Sequence, residues 1–210
     1  MHLTFHENNF TELCEELAKR DTDIKKIISN HSYPPMWTRP PSFSTLIHIV
    51  LEQQVSLASA RAAFNKLKEK IGAITPAKLL ALSDAELKAC YFSRQKIVYA
   101  RHLAETLLSK KIQLKKYTLL PDEEIKVSLK QVKGIGDWTA DVYLLFALQR
   151  TDVFPIGDLA MVNAIKEIKK LPAKTSKEEL LEMAESWRPY RSIAAMLFWH
   201  HYIKTRNIKF

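Results

Sequence analysis

Two glycines and an aspartate in one run, KGIGDWTADVYLLFALQRTDVFPIGD at residues 133–158, have types and spacing suited to chemistry. Two amphipathic helices joined by KGIG make a tight hairpin. Glycine belongs where backbone takes a positive φ or approaches a ligand closely. The second helix begins near Asp137, and its first amides have no intrahelical acceptor. They point outward at the positive end of the helix dipole, where a phosphate fits. Amides of Gly134 and Gly136, with Thr139 behind them, could hold a nucleic-acid phosphate without reading sequence. Backbone carbonyls of Lys130, Val132 and Gly134 could hold a sodium or potassium ion that offsets the phosphate charge. An ordinary hairpin turn without a ligand explains the glycines equally well.

Asp158 closes a Pro-Ile-Gly turn and opens the helical run LAMVNAI, so it is predicted at an N-cap. Capping alone is worth about 1 kcal/mol. The same position suits an anion, because the helix dipole favours it. An ionised, partly shielded carboxylate near bound DNA suits cleavage of an N-glycosidic bond. That reaction builds positive charge on the sugar, which an anion stabilises.

The elements that must position these groups are helical. The 210-residue chain has four glycines and lacks alternating Val/Ile/Thr runs, so an all-α fold of about ten helices is expected. At 47% hydrophobic it can bury a core alone. Predicted helices include NNFTELCEELAKR, SDAELKAC with a Ser83–Glu86 capping box, SRQKIVYARHLAETLLSKK, and PDEEIKVSLKQV with Pro121 in its first turn. HSYPPMWTRPP at residues 31–41 reads as an extended linker. The net charge of +9 favours a polyanionic partner, nucleic acid first, though charge alone leaves a merely basic soluble protein open. Cys14 and Cys90 form no CxxC pair, against a disulfide framework or a cysteine-ligated metal. His2 with His6, and His200 with His201, are poor metal pairs. The start is not a signal peptide and no run reaches membrane-spanning length; a cytoplasmic protein is expected, or a nuclear one in a eukaryote.

LKQVKGIGDWTADVYLLFAL with DVFPIGDLAMVNAI resembles the helix–hairpin–helix DNA glycosylase superfamily, and its alkylbase branch (3-methyladenine DNA glycosylase II type) in particular. FSTLIHIVLEQQVSLASA, FSRQKIVYARHLAE and WRPYRSIAAMLFW agree with that branch in order, over roughly residues 40 to 203. The resemblance implies one catalytic unit over 1–210. A helical lobe at 42–150 carries the hairpin, a second lobe at 1–41 and 151–210 carries the aspartate, and a DNA-binding cleft lies between them. It implies a monomeric, monofunctional glycosylase of base excision repair. Such an enzyme releases alkylated purines such as 3-methyladenine and 7-methylguanine from double-stranded DNA and requires no cofactor.

By the same resemblance Asp158 is the catalytic carboxylate. Trp138 stands where relatives with lyase activity carry a lysine, and tryptophan cannot form a Schiff base. Trp138, Trp199 and Tyr190 line the base pocket, suited to cationic alkylpurines. Gln54, with Gln53 beside it, matches the position that fills the gap left by a flipped nucleotide; an amide pair capping a helix–helix turn explains them nearly as well. Arg188 and Arg191 are expected to bind internal carboxylates. Two rival readings stay open: a non-catalytic helix–hairpin–helix DNA-binding module, and a glycosylase for deaminated or oxidised bases.

Overall fold

A computed structural model describes residues 3–208. Twelve α-helices occur among them: α1 Phe10–Arg20, α2 Thr22–His31, α3 Phe43–Glu52, α4 Leu57–Ile71, α5 Pro76–Leu80, α6 Asp84–Ala89, α7 Arg94–Leu108, α8 Asp122–Lys130, α9 Asp137–Phe146, α10 Leu159–Ile168, α11 Lys177–Ala184 and α12 Arg191–Thr205. Short 3-10 turns cover Leu114–Leu119 and Glu185–Trp187, and a single bridge joins Thr4 to Arg150. The fold is all-α. Two helices exceed the expected ten, α2 and the five-residue α5. No helix among the described residues is long and apolar enough to cross a membrane. His2 lies outside the described residues.

The chain divides into two compact units, with the division inside α9. One unit comprises the described residues up to Thr38 and those from Leu144 onward. Its centre is α12, buried from Ser192 through His201. A helix apolar on every side has to be packed on every side, which is what YRSIAAMLFWHH encodes. Phe10, Leu13 and Leu17 of α1, Ile24 and Ile27 of α2, and Met161 and Ile165 of α10 supply the surrounding core. Asp21 makes the joint between α1 and α2. Its Oδ1 accepts from the amides of Asp23 (2.9 Å) and Ile24 (3.2 Å). Its Oδ2 accepts from Lys169 Nζ and from Trp187 Nε1, both at 2.8 Å. Trp187 is thereby a structural anchor, 1% exposed. Arg188 and Arg191 bind Asp152 and Glu185 within the same unit.

α12 also carries a histidine cluster. His31 Nε2 lies 3.2 Å from His201 Nδ1, and His200 Nε2 lies 2.9 Å from the His31 carbonyl. Burial pushes His200 and His201 below the ordinary value of 6.5; Lys204 adds to the shift at His200, while at His201 Arg206 adds to it and Glu167 opposes it. A depressed histidine means that the folded chain binds fewer protons than the unfolded one. Its stabilisation is complete above about pH 6.5 and falls as the pH drops toward the folded-state value. His48 in the other unit is lowered by burial too, with the same sign. The urea midpoint is therefore expected to fall between about pH 7.5 and about pH 5.5, before the carboxylates titrate. A midpoint flat over that window would contradict the assignment.

The second unit spans Arg39–Tyr143. Its helices α3 to α7 start on hydroxyl caps. Ser42 accepts from the Thr45 amide (3.2 Å), and Ser93 accepts from that of Lys96 (3.2 Å). Ser83 and Glu86 form the predicted capping box, and hydrogen bonds from the Ser83 backbone and from Lys70 hold the Glu86 carboxyl down to about 2. Pro121 is the N-cap of α8, one residue ahead of its predicted place in the first turn. Lys126 of α8 pairs with the buried Asp141 of α9 at 2.8 Å, which fixes the hairpin's two arms against each other.

Candidate functional site

The hairpin is built by α8, the turn from Gln131 to Gly136 and the start of α9. Val132 N donates to Leu129 O and Ile135 N to Val132 O, both at 3.0 Å; Ala140 N donates to Gly136 O (3.1 Å) and opens α9. The two glycines serve different purposes. Gly134 has φ +87°, and a Cβ there would run into the Tyr99 ring of α7. Gly136 has no positive φ, and a Cβ on it would meet nothing within 4 Å. Neither a positive φ nor packing calls for glycine at 136, and its backbone lies open on that side. Among the described residues no acceptor is paired with the amides of Gly134 or Gly136.

Gln53 ties this turn down. Its Nε2 donates to Gly134 O and to Thr139 Oγ1, each at 2.9 Å. Both amide protons are used inside the unit, so Gln53 is a strut between the end of α3 and the hairpin. Thr139 is 2% exposed with its hydroxyl against Gln53. Its side chain supports the turn from inside and does not reach an outside phosphate. Gln54 differs: it is exposed, and its φ of +56° carries it out of the α3 axis. Replacing Gln53 by Met keeps the length and removes both donors, and is expected to cost about 1–2 kcal/mol in urea unfolding. Gln54→Gly, at a positive φ, is expected to leave stability equal or higher. Equal costs at both positions would contradict the division of labour.

The carbonyls proposed for a cation are partly occupied. Gly134 O accepts from Gln53 and Val132 O from the Ile135 amide. A carbonyl has two lone pairs, so each of these two keeps one for a further donor or ion. Asp137, the first residue of α9, puts a carboxylate at the mouth of the same turn. Lys130 Nζ meets it at 2.6 Å, and that hydrogen bond is the main reason its pKa is lowered. Sequence reasoning missed this pairing, although seven residues separate the two across a hairpin.

Asp158 belongs to the other unit. The turn before it is closed by Ile156 N to Phe154 O and Asp158 N to Pro155 O, both 2.8 Å. Asp158 is the N-cap of α10, as predicted, with Oδ1 accepting from Met161 N at 2.9 Å. The same Oδ1 accepts from Trp199 Nε1 at 2.8 Å. Two donors on one oxygen fix the plane and direction of the half-buried carboxylate. Trp199 is 8% exposed and stacks on Phe146 at 5.4 Å and 28°. It is first an orienting partner of Asp158, which its spacing in sequence did not reveal. Tyr190 sits at the start of α12 with the Arg20 guanidinium 5.4 Å from its ring centroid. Among the described residues no hydrogen bond or ring contact joins it to Asp158 or Trp199. Trp138 is half-buried in the first turn of α9.

Comparison with known proteins gives the family of the chain. Residues 47–189 match the model of the HhH-GPD superfamily of base excision DNA repair proteins. DNA-3-methyladenine glycosylase 1 of Schizosaccharomyces pombe is 32% identical over 84% of this chain and 79% of its own length. The structure of the 3-methyladenine DNA glycosylase Mag1 of that yeast, in complex with abasic DNA, superposes with a TM-score of 0.82. It is 29% identical and covers 93% of this chain and 97% of that one. An 8-oxoguanine glycosylase/lyase of Clostridium acetobutylicum in complex with DNA has a TM-score of 0.80 at 20% identity, covering 95% of this chain and 71% of that one, and shares the fold alone. With residues 47–189, more than half of its length, matched, the chain belongs to the HhH-GPD superfamily of base excision DNA repair proteins.

Proposed function

We propose that this protein is a monofunctional DNA glycosylase of base excision repair that hydrolyses the N-glycosidic bond of alkylated purines and leaves an abasic site. The carrying observation is the Asp158 carboxylate, held at a helix N-terminus by Met161 N and Trp199 Nε1. A carboxylate fixed in direction can face the positive charge that grows on the sugar as the base departs. It can also orient the attacking water and accept its proton. Because the geometry is set before reaction, little reorganisation is needed at the transition state.

The hairpin amides of Gly134 and Gly136 hold one phosphate of double-stranded DNA. Lys130, by pairing with Asp137, reduces the repulsion that a bare carboxylate would present there. A monovalent cation on the carbonyls of Lys130, Val132 and Gly134 would add to the same effect. Gln54 enters the duplex where the damaged nucleotide leaves it. Alkylation at N3 or N7 gives the purine a positive charge, which weakens its bond to the sugar and draws it to aromatic faces. Trp138 and the remaining face of Trp199 are the candidates for that contact. Tyr190, with Arg20 over its ring, supports the pocket from further out.

Trp138 offers no amine, so the sugar is attacked by water and the strand stays whole. The protein acts as a monomer. The product tests this reading. Methylated duplex treated with the protein is expected to break only after alkali, and borohydride is expected to trap no protein–DNA adduct. Strand breakage without alkali, with a trapped adduct, would overturn the hydrolytic assignment.

A further inference from the structure

Two ion pairs link the arms of the hairpin, one helical turn apart. Lys126 and Lys130 lie on α8, and Asp141 and Asp137 face them from α9. The inner pair, Lys126 with Asp141 at 2.8 Å, is shielded, with side chains 24% and 8% exposed. It already joins the two arms. The outer pair, Lys130 with Asp137 at 2.6 Å, is 45% and 75% exposed. An ion pair so open to water adds little to a fold, so stability gives no account of a second rung. Its position does. Asp137 directly follows Gly136, whose amide is proposed to hold a phosphate. A carboxylate seeks the same partners as a phosphate, namely an ammonium and the amides of a helix N-terminus. Asp137 has taken both. The Lys130 hydrogen bond is the main cause of its lowered pKa, and its own backbone N–H, the first amide of α9, adds to the shift.

We propose that Asp137 is a built-in competitor for the DNA phosphate, which holds Lys130 at the start of α9 in the free protein and gives it up when the phosphate arrives. The inference rests on the reading of the hairpin as a phosphate seat. In the free protein the charges of Lys130 and Asp137 cancel, so the seat attracts a phosphate through amide dipoles and not through a net cation. On binding, Lys130 passes from one anion to the other. The phosphate sheds its counterion, but Asp137, left bare, gathers one in its place, and the net release at this contact is zero. A chain of net charge +9 attracts any polyanion. Asp137 keeps the direction of the hairpin contact and weakens its grip, so that undamaged DNA and the abasic product are let go.

The test is affinity for a duplex carrying the stable abasic analogue tetrahydrofuran, read by fluorescence anisotropy between about 50 and about 200 mM potassium chloride. Asp137→Asn is expected to bind about tenfold tighter than wild type at the lower salt and about threefold tighter at the higher. The slope of log affinity against log salt is expected to steepen by about one. A purely structural role would leave that slope where it is. Asp137→Glu keeps the charge and is expected to bind as wild type does. Lys130→Met leaves the carboxylate bare and is expected to bind more weakly. Adding Asp137→Asn to it restores the net charge of the pair to zero and returns affinity near wild type. Equal or weaker binding by Asp137→Asn, or a slope parallel to that of wild type, would overturn the proposal while Gly136→Ala still weakens binding. A lower thermal midpoint of Asp137→Asn with unchanged affinity would make the pair a structural brace, which also contradicts it. If Gly136→Ala binds as tightly as wild type, the hairpin is not the phosphate seat, and the reading beneath the proposal falls with it.

Discussion

Asp158→Asn lowers the single-turnover rate of base release by about 10²–10³-fold and leaves DNA affinity and the thermal midpoint near wild type. The expectation follows from the two donors on Oδ1. Asparagine caps helices about as well as aspartate, and its side-chain oxygen can still accept from Met161 N and Trp199 Nε1. What disappears is the negative charge. The variant thus separates the capping role from the chemical one, which are superimposed at this position in the native chain. Single-turnover release from methylated duplex, with fluorescence anisotropy for binding, measures both halves. A rate within a few-fold of wild type would return Asp158 to a helix cap and favour a DNA-binding module without catalysis.

Gly134→Ala is expected to be the most damaging change in the hairpin. The new methyl group would enter the space of the Tyr99 ring, in a backbone conformation that L side chains rarely adopt. Overpacking and positive-φ strain together are on the order of 3 kcal/mol. The clash falls on Cγ and both Cδ atoms of Tyr99, the inner part of the ring and not its flexible end. Loss of the turn geometry disperses the amides proposed to hold a phosphate, so DNA affinity is expected to fall together with stability. Gly136→Ala makes the informative contrast. Its methyl group meets no protein atom within 4 Å, so the urea midpoint stays near wild type while DNA affinity drops. If both substitutions cost stability alike, the open face at Gly136 serves the fold and not a ligand. If neither weakens DNA binding, the hairpin is not the anchor.

The sequence discloses local features of this molecule better than distant ones. Asp158 was legible as a cap because a Pro-Ile-Gly turn and an apolar helix flank it within a few residues. The apolar run IAAMLFW marks the buried stretch of α12 in the sequence. Its partner Trp199 was visible as an aromatic, but not as the donor to Asp158, since 41 residues separate the two. The two glutamines illustrate the limit. Gln53 and Gln54 are the same residue type in adjacent positions, and only backbone handedness sends one inward and one outward; Gln53 finds its acceptors 81 and 86 residues away. The glycines behave the same way. Both read as turn residues, yet Tyr99 on another helix decides that one is obligatory for the fold. α2 was missed because Asp21 ends one helix and caps the next with no breaker between them, and α5 because five residues show no period.

The most direct measurement is release of free base from N-methylated duplex DNA by the purified protein, separated by chromatography. A panel of hypoxanthine and 8-oxoguanine substrates runs beside it, with Asp158→Asn as the control. The proposed function predicts 3-methyladenine or 7-methylguanine in the soluble fraction with wild type, and neither with the variant. Release of hypoxanthine or 8-oxoguanine alone would keep the glycosylase and overturn its assignment to alkylated purines. No base released from any duplex, with DNA still bound, would contradict the account.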